Sequence, residues 1–174
     1  MDPFTTLGIE PRFDLDMGEV EKRYRELSRA LHPDRYVGRP AGERRLALSK
    51  AIEVNEAWRV VRDPVTRAEA LLRRGGVEID ESSAPTTRPE FLMEMMELRE
   101  ELAEARAERN TTALAALTRG VQDREARLLA QLTECFDAAS KDHDLLDRCV
   151  TPLAQLRFVR RFLDEAAAAE DDLT

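Results

Sequence analysis

The sequence predicts an all-α protein: an antiparallel helical hairpin with short helices at the N-terminal end, joined to a three-helix bundle. Three observations carry this. Ala, Leu, Glu and Arg dominate, aromatics make up 5%, and seven Gly and eight Pro are too few for a turn-rich β sandwich. Apolar residues recur at intervals of three and four along most of the chain, the period of an amphipathic helix. Charge is divided unevenly within the net −8: residues 1–75 carry 15 Lys+Arg and 13 Asp+Glu, a balance of +2, and residues 76–174 carry −10. The break falls at Gly75-Gly76 and the run Glu81-Ser82-Ser83-Ala84-Pro85-Thr86-Thr87-Arg88-Pro89, whose residues end helices and leave little to pack. The predicted organisation is residues 1–75, a connecting segment 76–88, and residues 89–174.

In the first module, the short apolar run Phe4-Thr5-Thr6-Leu7-Gly8-Ile9 is expected to pack across the base of the hairpin. Asp16-Met17-Gly18-Glu19 reads as a capping box opening a helix. Met17, Val20, Tyr24, Leu27 and Leu31 form its apolar stripe, and Lys22, Arg23, Arg25 and Arg29 its opposite face. Pro33 disfavours helical geometry in the residue before it, so the helix should stop around His32. After a polar loop, Asp34 to Gly42, a second long helix spans about Glu43 to Arg62, with Ala47, Ala51, Val54, Trp58 and Val61 inward. Two such helices bury each other's stripes as a hairpin. Asp63-Pro64 caps and starts a shorter helix with Ala68, Leu71 and Leu72 inward.

In the second module, Pro89 launches a helix to about Arg109 on the stripe Phe91, Met95, Leu98, Leu102 and Ala105. Asn110-Thr111 punctuates. A long helix then runs to about Ser140 through Leu114, Leu117, Val121, Leu128, Leu132 and Phe136. Asp142 or Asp144 opens the last segment, with Leu146, Val150, Leu153, Leu156, Val159 and Leu163 inward and Pro152 expected to kink or divide it.

Composition also excludes. With 43% hydrophobic and 36% charged residues the chain folds under a densely ionic surface. A net charge of −8 argues against a nucleic-acid partner. No apolar run of about twenty residues and no secretory signal are visible, which points to a soluble, cytosolic protein without a membrane partner. Cys135 and Cys149 read either as a disulfide or as two reduced core thiols, the usual state in a non-secretory chain. They share no ligand spacing with His32 and His143, so no metal is expected, and no cofactor either. Gly-rich phosphate loops, HExxH and Cys/His pairs at catalytic spacing are missing, which speaks against an enzyme and leaves no catalytic residues to assign.

His32-Pro33-Asp34 is the sharpest motif. Alone it reads as a helix-ending His, a breaker Pro and a turn-forming Asp. In its setting, after a short N-terminal segment and a basic helix and before an antiparallel helix, it resembles the HPD loop of a J domain. Asn55-Glu56-Ala57-Trp58, Arg67-Ala68-Glu69-Ala70-Leu71-Leu72 and Phe91-Leu92-Met93-Glu94 with Glu97-Leu98-Arg99-Glu100-Glu101-Leu102 extend the likeness. Together they resemble the HscB family, J-domain co-chaperones of iron–sulfur cluster biogenesis, over nearly the whole chain.

The resemblance implies a non-enzymatic protein. Its J domain would bind a DnaK-like, HscA-type chaperone and stimulate ATP hydrolysis, and its bundle would bind an IscU-type cluster scaffold. His32, Pro33 and Asp34 match the stimulatory loop. Asp34 is suited to accept charge-assisted hydrogen bonds from a partner arginine. Lys22, Arg23, Arg25 and Arg29 read as a steering face for an acidic partner or simply as a solvated helix face. Leu92, Met93, Met96, Glu97, Glu100 and Glu104 lie off the core stripe and match scaffold-contact positions, as does Phe158 on the last helix. The periodicity leaves open that the apolar members only widen the core. A general J-domain adaptor carrying another client on the acidic bundle is the alternative.

Some positions depart from the family pattern. Arg35 replaces the lysine usual after HPD, and Ala70 stands where the bacterial pattern often has Tyr. Pro152 has no family precedent. The cysteine-bearing N-terminal extension of eukaryotic members is absent, which points to a bacterial-type cytoplasmic protein. The filled stripes point to a monomer.

Overall fold

The computed structural model describes residues 2–79 and 88–173, and the chain divides between Glu78 and Ile79 into two compact units. Residues 80–87 of the expected connecting segment lie outside the described residues. Every regular element among the described residues is helical.

The first unit holds α1 (Pro3–Leu7), α2 (Met17–Ala30), a 3-10 turn (Pro33–Tyr36), α3 (Ala41–Arg62) and α4 (Pro64–Arg74). Side chains set its boundaries. Asp2 accepts from the Phe4 amide, Asp16 from Gly18 and Glu19, and Asp63 from Val65 and Thr66, each satisfying amides that a helix start leaves orphaned. The Glu19 side chain pairs instead with Lys22 at 3.7 Å. The last turn of α4 closes with Gly76 N–H on the Arg73 carbonyl and Val77 N–H on that of Leu72. Gly76 takes φ +79°, the left-handed position of this capping motif, which a glycine fills without a Cβ clash.

The hairpin of α2 and α3 is closed by Val20, Ala47, Val54, Ala57 and Val61, with Tyr24 stacked on Trp58 at 5.0 Å and its hydroxyl 3.1 Å from Asn55 Oδ1. The opening apolar run is a helical turn whose Phe4 and Leu7 are buried on α3.

Arg67, which opens the Arg67–Leu72 run of α4, is buried. Its Nη1 donates to the Val61 carbonyl at 3.1 Å and its guanidinium lies over the Phe13 ring at 5.0 Å. Nε has no partner. Burial lowers the Arg67 pKa, opposed by Asp63 and Asp14.

The second unit holds α5 (Pro89–Ala107), α6 (Thr111–Ala139), a 3-10 helix (His143–Cys149) and α7 (Val150–Leu173). Its core runs through Phe91, Met95, Leu102, Leu114, Val121, Leu128, Leu132, Leu153, Leu156 and Phe162. Ion pairs across the surface join the helices: Arg99 to Glu165 in a two-pronged bond of 2.9 and 3.1 Å, Arg106 to Asp172, and Arg160 to Glu125 at 3.2 Å. The α5–α6 connection is tight. Asn110 N–H returns to the Ala105 carbonyl, Arg109 sits at φ +53°, and Asn110 then caps α6 through the Ala113 amide.

Three expectations about this unit need correction. The last segment divides at Cys149/Val150, before Pro152. Pro152 lies in the first turn of α7, where a missing N–H breaks no helical bond, so α7 continues without interruption to Leu173. Leu163 is only half-buried and Phe162 takes its place. Successive steps of three from Leu153 to Phe162 each fall short of a full turn by about 60°, so the buried stripe winds round α7. Leu98 and Leu117, expected inward, are half-buried because α5 and α6 leave an open groove between them.

Cys135 and Cys149 are free thiols. Cys149 is fully buried, and Cys135 Sγ donates to the Arg148 carbonyl at 3.9 Å. Burial, with the Cys135 thiol beside it, pushes the Cys149 pKa up to about 12.

Candidate functional site

The HPD tripeptide follows the end of α2, which stops at Ala30 with Leu31 as its cap. His32 is extended, φ −60° and ψ 133°, as a residue before proline must be, and it caps the Pro33–Tyr36 turn. Its Nδ1 accepts from the Asp34 amide at 3.3 Å, and the Arg35 amide returns to the His32 carbonyl at 3.0 Å. The bond from Asp34 N–H leaves Nε2 to carry the ring proton outward. The Asp34 carboxylate is 85% exposed and the His32 side chain 58%. The polar loop therefore begins as a hydrogen-bonded 3-10 turn. It presents an acceptor and a donor to solvent.

Of the basic residues on α2, Lys22, Arg25 and Arg29 share the face opposite Val20, about 140–200° from it around the helix. Lys22 and Arg25 pair with Glu19 and Glu21 at 3.7 and 2.6 Å, exposed bonds of the kind worth about 0–1 kcal/mol and readily exchanged for a partner's carboxylates. Arg29 is exposed and without a side-chain partner among the described residues.

Arg23 differs from the expectation. It sits on the flank, its Nε donating to the Leu7 carbonyl at 3.3 Å, so it ties α2 to the end of α1. A Cβ at Gly8 would meet that guanidinium at 3.2 Å, at a residue of φ +66°.

Periodicity does not reveal that Val37, just beyond the HPD turn, is 79% exposed, or that Leu48 and Ile52 are each 55% exposed on α3.

In the second unit, α5 carries apolar residues on two sides. Phe91, Met95, Leu102 and Ala105 are buried. Met93 and Met96 are each 62% exposed on the far side, with Glu97, Glu100 and Glu104 continuing their ridge towards the C-terminal end of the helix. Leu92 is half-buried at the edge. None of the three glutamates forms an ion pair among the described residues. Phe158 of α7 is half-buried, its ring edge-on to that of Phe91 at 6.1 Å, while Arg124 covers the other aromatic partner at 4.7 Å. Phe158 is therefore tied to the core through Phe91 rather than standing free.

Residues 2–70 match the DnaJ domain family and residues 87–167 the HSCB C-terminal oligomerisation domain family. Curated relatives named co-chaperone protein HscB homolog match over nearly the full length. The one from Neisseria meningitidis strain FAM18 is 34% identical over 95% of this chain and 97% of its own, and that of Bordetella pertussis Tohama I is 35% identical over 97% and 96%. The chain belongs to the HscB co-chaperone family. The solved chaperone HscB from Vibrio cholerae covers all of this chain and of its own, with a TM-score of 0.87 and 30% identity. Human co-chaperone protein HscB, at 24% identity, shares the fold with a TM-score of 0.87 over 98% of this chain and 82% of its own.

An HscB-family chain is a J-domain adaptor rather than an enzyme, and its J domain implies a DnaK-type chaperone as partner. Among the described residues no helix is long and apolar enough to cross a membrane.

Proposed function

We propose that this protein delivers an IscU-type iron–sulfur cluster scaffold to an HscA-type chaperone in the bacterial cytoplasm and stimulates the chaperone's ATPase. Residues 1–75 act as the J domain, 76–88 as the connection and 89–174 as the scaffold-binding bundle. On the J domain, His32, Pro33 and Asp34 engage the chaperone, while Lys22, Arg25 and Arg29 steer the approach to an acidic surface. Arg23 contributes charge from the flank. On the bundle, Leu92, Met93, Met96 and Phe158 supply the apolar anchor and Glu97, Glu100 and Glu104 the charge.

The observation that carries this reading is the exposed Met93–Met96 step on a helix whose core is already filled on its other side. A soluble helix gains nothing from two bare methionines beside unpaired carboxylates unless a partner covers them, and methionine packs adaptably against such a partner. The pre-formed HPD turn supports the chaperone half. Its backbone is already turned so that the His32 and Asp34 side chains face solvent, which lowers the cost of ordering them on binding.

ATP turnover by an HscA-type chaperone tests it, measured alone, with this protein, and with this protein and scaffold together. Stimulation by the protein, increased further by scaffold, is expected. His32→Gln should abolish the stimulation while leaving scaffold capture intact. Unchanged stimulation by His32→Gln would refute the loop assignment. Failure to capture any cluster scaffold would leave a J-domain adaptor for another client.

A further inference from the structure

Beside the α5 ridge lies a feature that ridge does not use. Towards their connecting turn, α5 and α6 part to leave an open groove of about 620 Å³. Its apolar lining is Leu98 and Ala105 from α5 with Leu117, Val121 and Gly120 from α6. Gly120 stands in the middle of a 29-residue helix, where glycine is disfavoured against alanine, and a Cβ built on it meets nothing within 4 Å. Nothing inside the unit asks for that glycine. What it does is deepen the groove from the outside.

The α5 wall carries Glu101, Glu104 and Glu108, and Glu97 continues the row. These four carboxylates repeat at four, three and four residues, all exposed and none ion-paired among the described residues, a spacing at which like charges repel. Of the two arginines on the α6 wall, Arg124 is already bonded to Glu94 and laid over Phe91, and Arg127 is exposed at the end away from the connecting turn, clear of Glu104 and Glu108. The groove is thus apolar at its base and anionic along one side. It lies in the half of the chain that carries −10, so the bundle of a second copy would meet it with repulsion. Glu104 belongs both to this wall and to the ridge of Met93 and Met96, which makes the two surfaces continuous.

We infer that the delivered protein lays a basic amphipathic segment into the α5–α6 groove against Gly120, in addition to its contact with the α5 ridge. The inference rests on the scaffold-binding reading of that ridge. The apolar side of the segment covers Leu98 and Leu117, and its lysines or arginines meet Glu101, Glu104 and Glu108. Close approach to the α6 backbone is what the missing Cβ permits.

The test is calorimetric titration of the full chain with an IscU-type scaffold protein, with circular dichroism and a melting curve for each variant. Gly120→Leu fills the groove from a position where the added side chain has room, so the bundle should melt no lower than the parent, while scaffold affinity falls at least tenfold. Glu101→Lys with Glu108→Lys, exposed on the wall, should weaken binding and flatten its salt dependence. Unchanged affinity in Gly120→Leu, with Met93→Ala weakened, overturns the groove and leaves the ridge reading standing. Unchanged affinity in both Gly120→Leu and Met93→Ala removes the ridge reading as well. A concentration-dependent dimer in sedimentation that Gly120→Leu abolishes would overturn the inference in favour of a second copy as occupant.

Discussion

Met93 and Phe158 provide a way to separate docking from folding. Met93 is 62% exposed, so less than half of its side chain is available to stabilise the bundle. Full burial of a methionine is worth about 1.5–3 kcal/mol, which puts the folding cost of Met93→Ala at about 1 kcal/mol or less. As an anchor in a covered interface its truncation should cost about 1–2 kcal/mol of binding, which is about 5- to 30-fold in Kd. Phe158 is half-buried and braced edge-on against Phe91 at 6.1 Å. Phe158→Ala forfeits an aromatic pair worth about 0.5–1.5 kcal/mol together with part of a ring's burial, about 2 kcal/mol of fold stability in all. The two variants should therefore dissociate: similar losses of scaffold affinity by titration calorimetry, but a clear drop in the melting temperature of the bundle for Phe158→Ala alone. Unchanged scaffold affinity in Met93→Ala would refute the reasoning. So would a melting temperature lowered as far as that of Phe158→Ala, because it would place Met93 in the core.

Other outcomes follow from buried and strained positions. Arg67→Met keeps volume and removes the unpartnered Nε, so it should cost about 0–2 kcal/mol, whereas Arg67→Ala adds a cavity and should exceed 3 kcal/mol; hydrogen exchange over α3 and α4 would rank them, and equal losses would show that volume is irrelevant there. Arg109→Gly relieves a left-handed residue and should stabilise the bundle by about 0.5–1 kcal/mol, raising its melting temperature by a few degrees. A thiol reagent should modify Cys135 in the native protein and reach Cys149 only on unfolding. Because the folded Cys149 thiol titrates near 12 against an ordinary 9, its burial favours the native state below pH 9, and that contribution is lost as pH rises from about 9 to about 12. Cys149→Ala should flatten the fall in denaturant midpoint over that range, and an unchanged fall would show that another group governs it.

The helix boundaries were legible because local chemistry sets them. Asp16, Asp63, Asn110 and the Gly75-Gly76 pair each act within a turn of the residues they cap, so the caps are readable from neighbours in sequence. Positions that depend on what lies opposite were harder. Arg67 is buried because Phe13, 54 residues away, and the Val61 carbonyl at the end of the preceding helix receive it. Arg23 lies only three residues after Val20, which puts it on the flank of α2, and what the spacing does not show is that the Leu7 carbonyl waits there to receive it. Leu98 and Leu117 obey helical periodicity and still stand half-open, since periodicity tells which way a residue faces but not whether a neighbouring helix closes over it. On α5 the pattern was ambiguous for a physical reason: apolar residues on opposite sides of one helix cancel as an amphipathic signal, and only the packing distinguishes the filled side from the bare one. The HPD motif was visible as three letters, while the bond from the Asp34 amide to the His32 ring shows only in the fold.

The stack of Tyr24 on Trp58 has an optical consequence. The chain has one tryptophan and two tyrosines, Tyr24, Tyr36 and Trp58 all belonging to the first unit. Indole and phenol signals therefore report the J domain and are blind to the bundle, whose aromatic residues are all phenylalanines. A change in fluorescence when a chaperone or a client is added identifies which half of the protein has responded, with no label introduced.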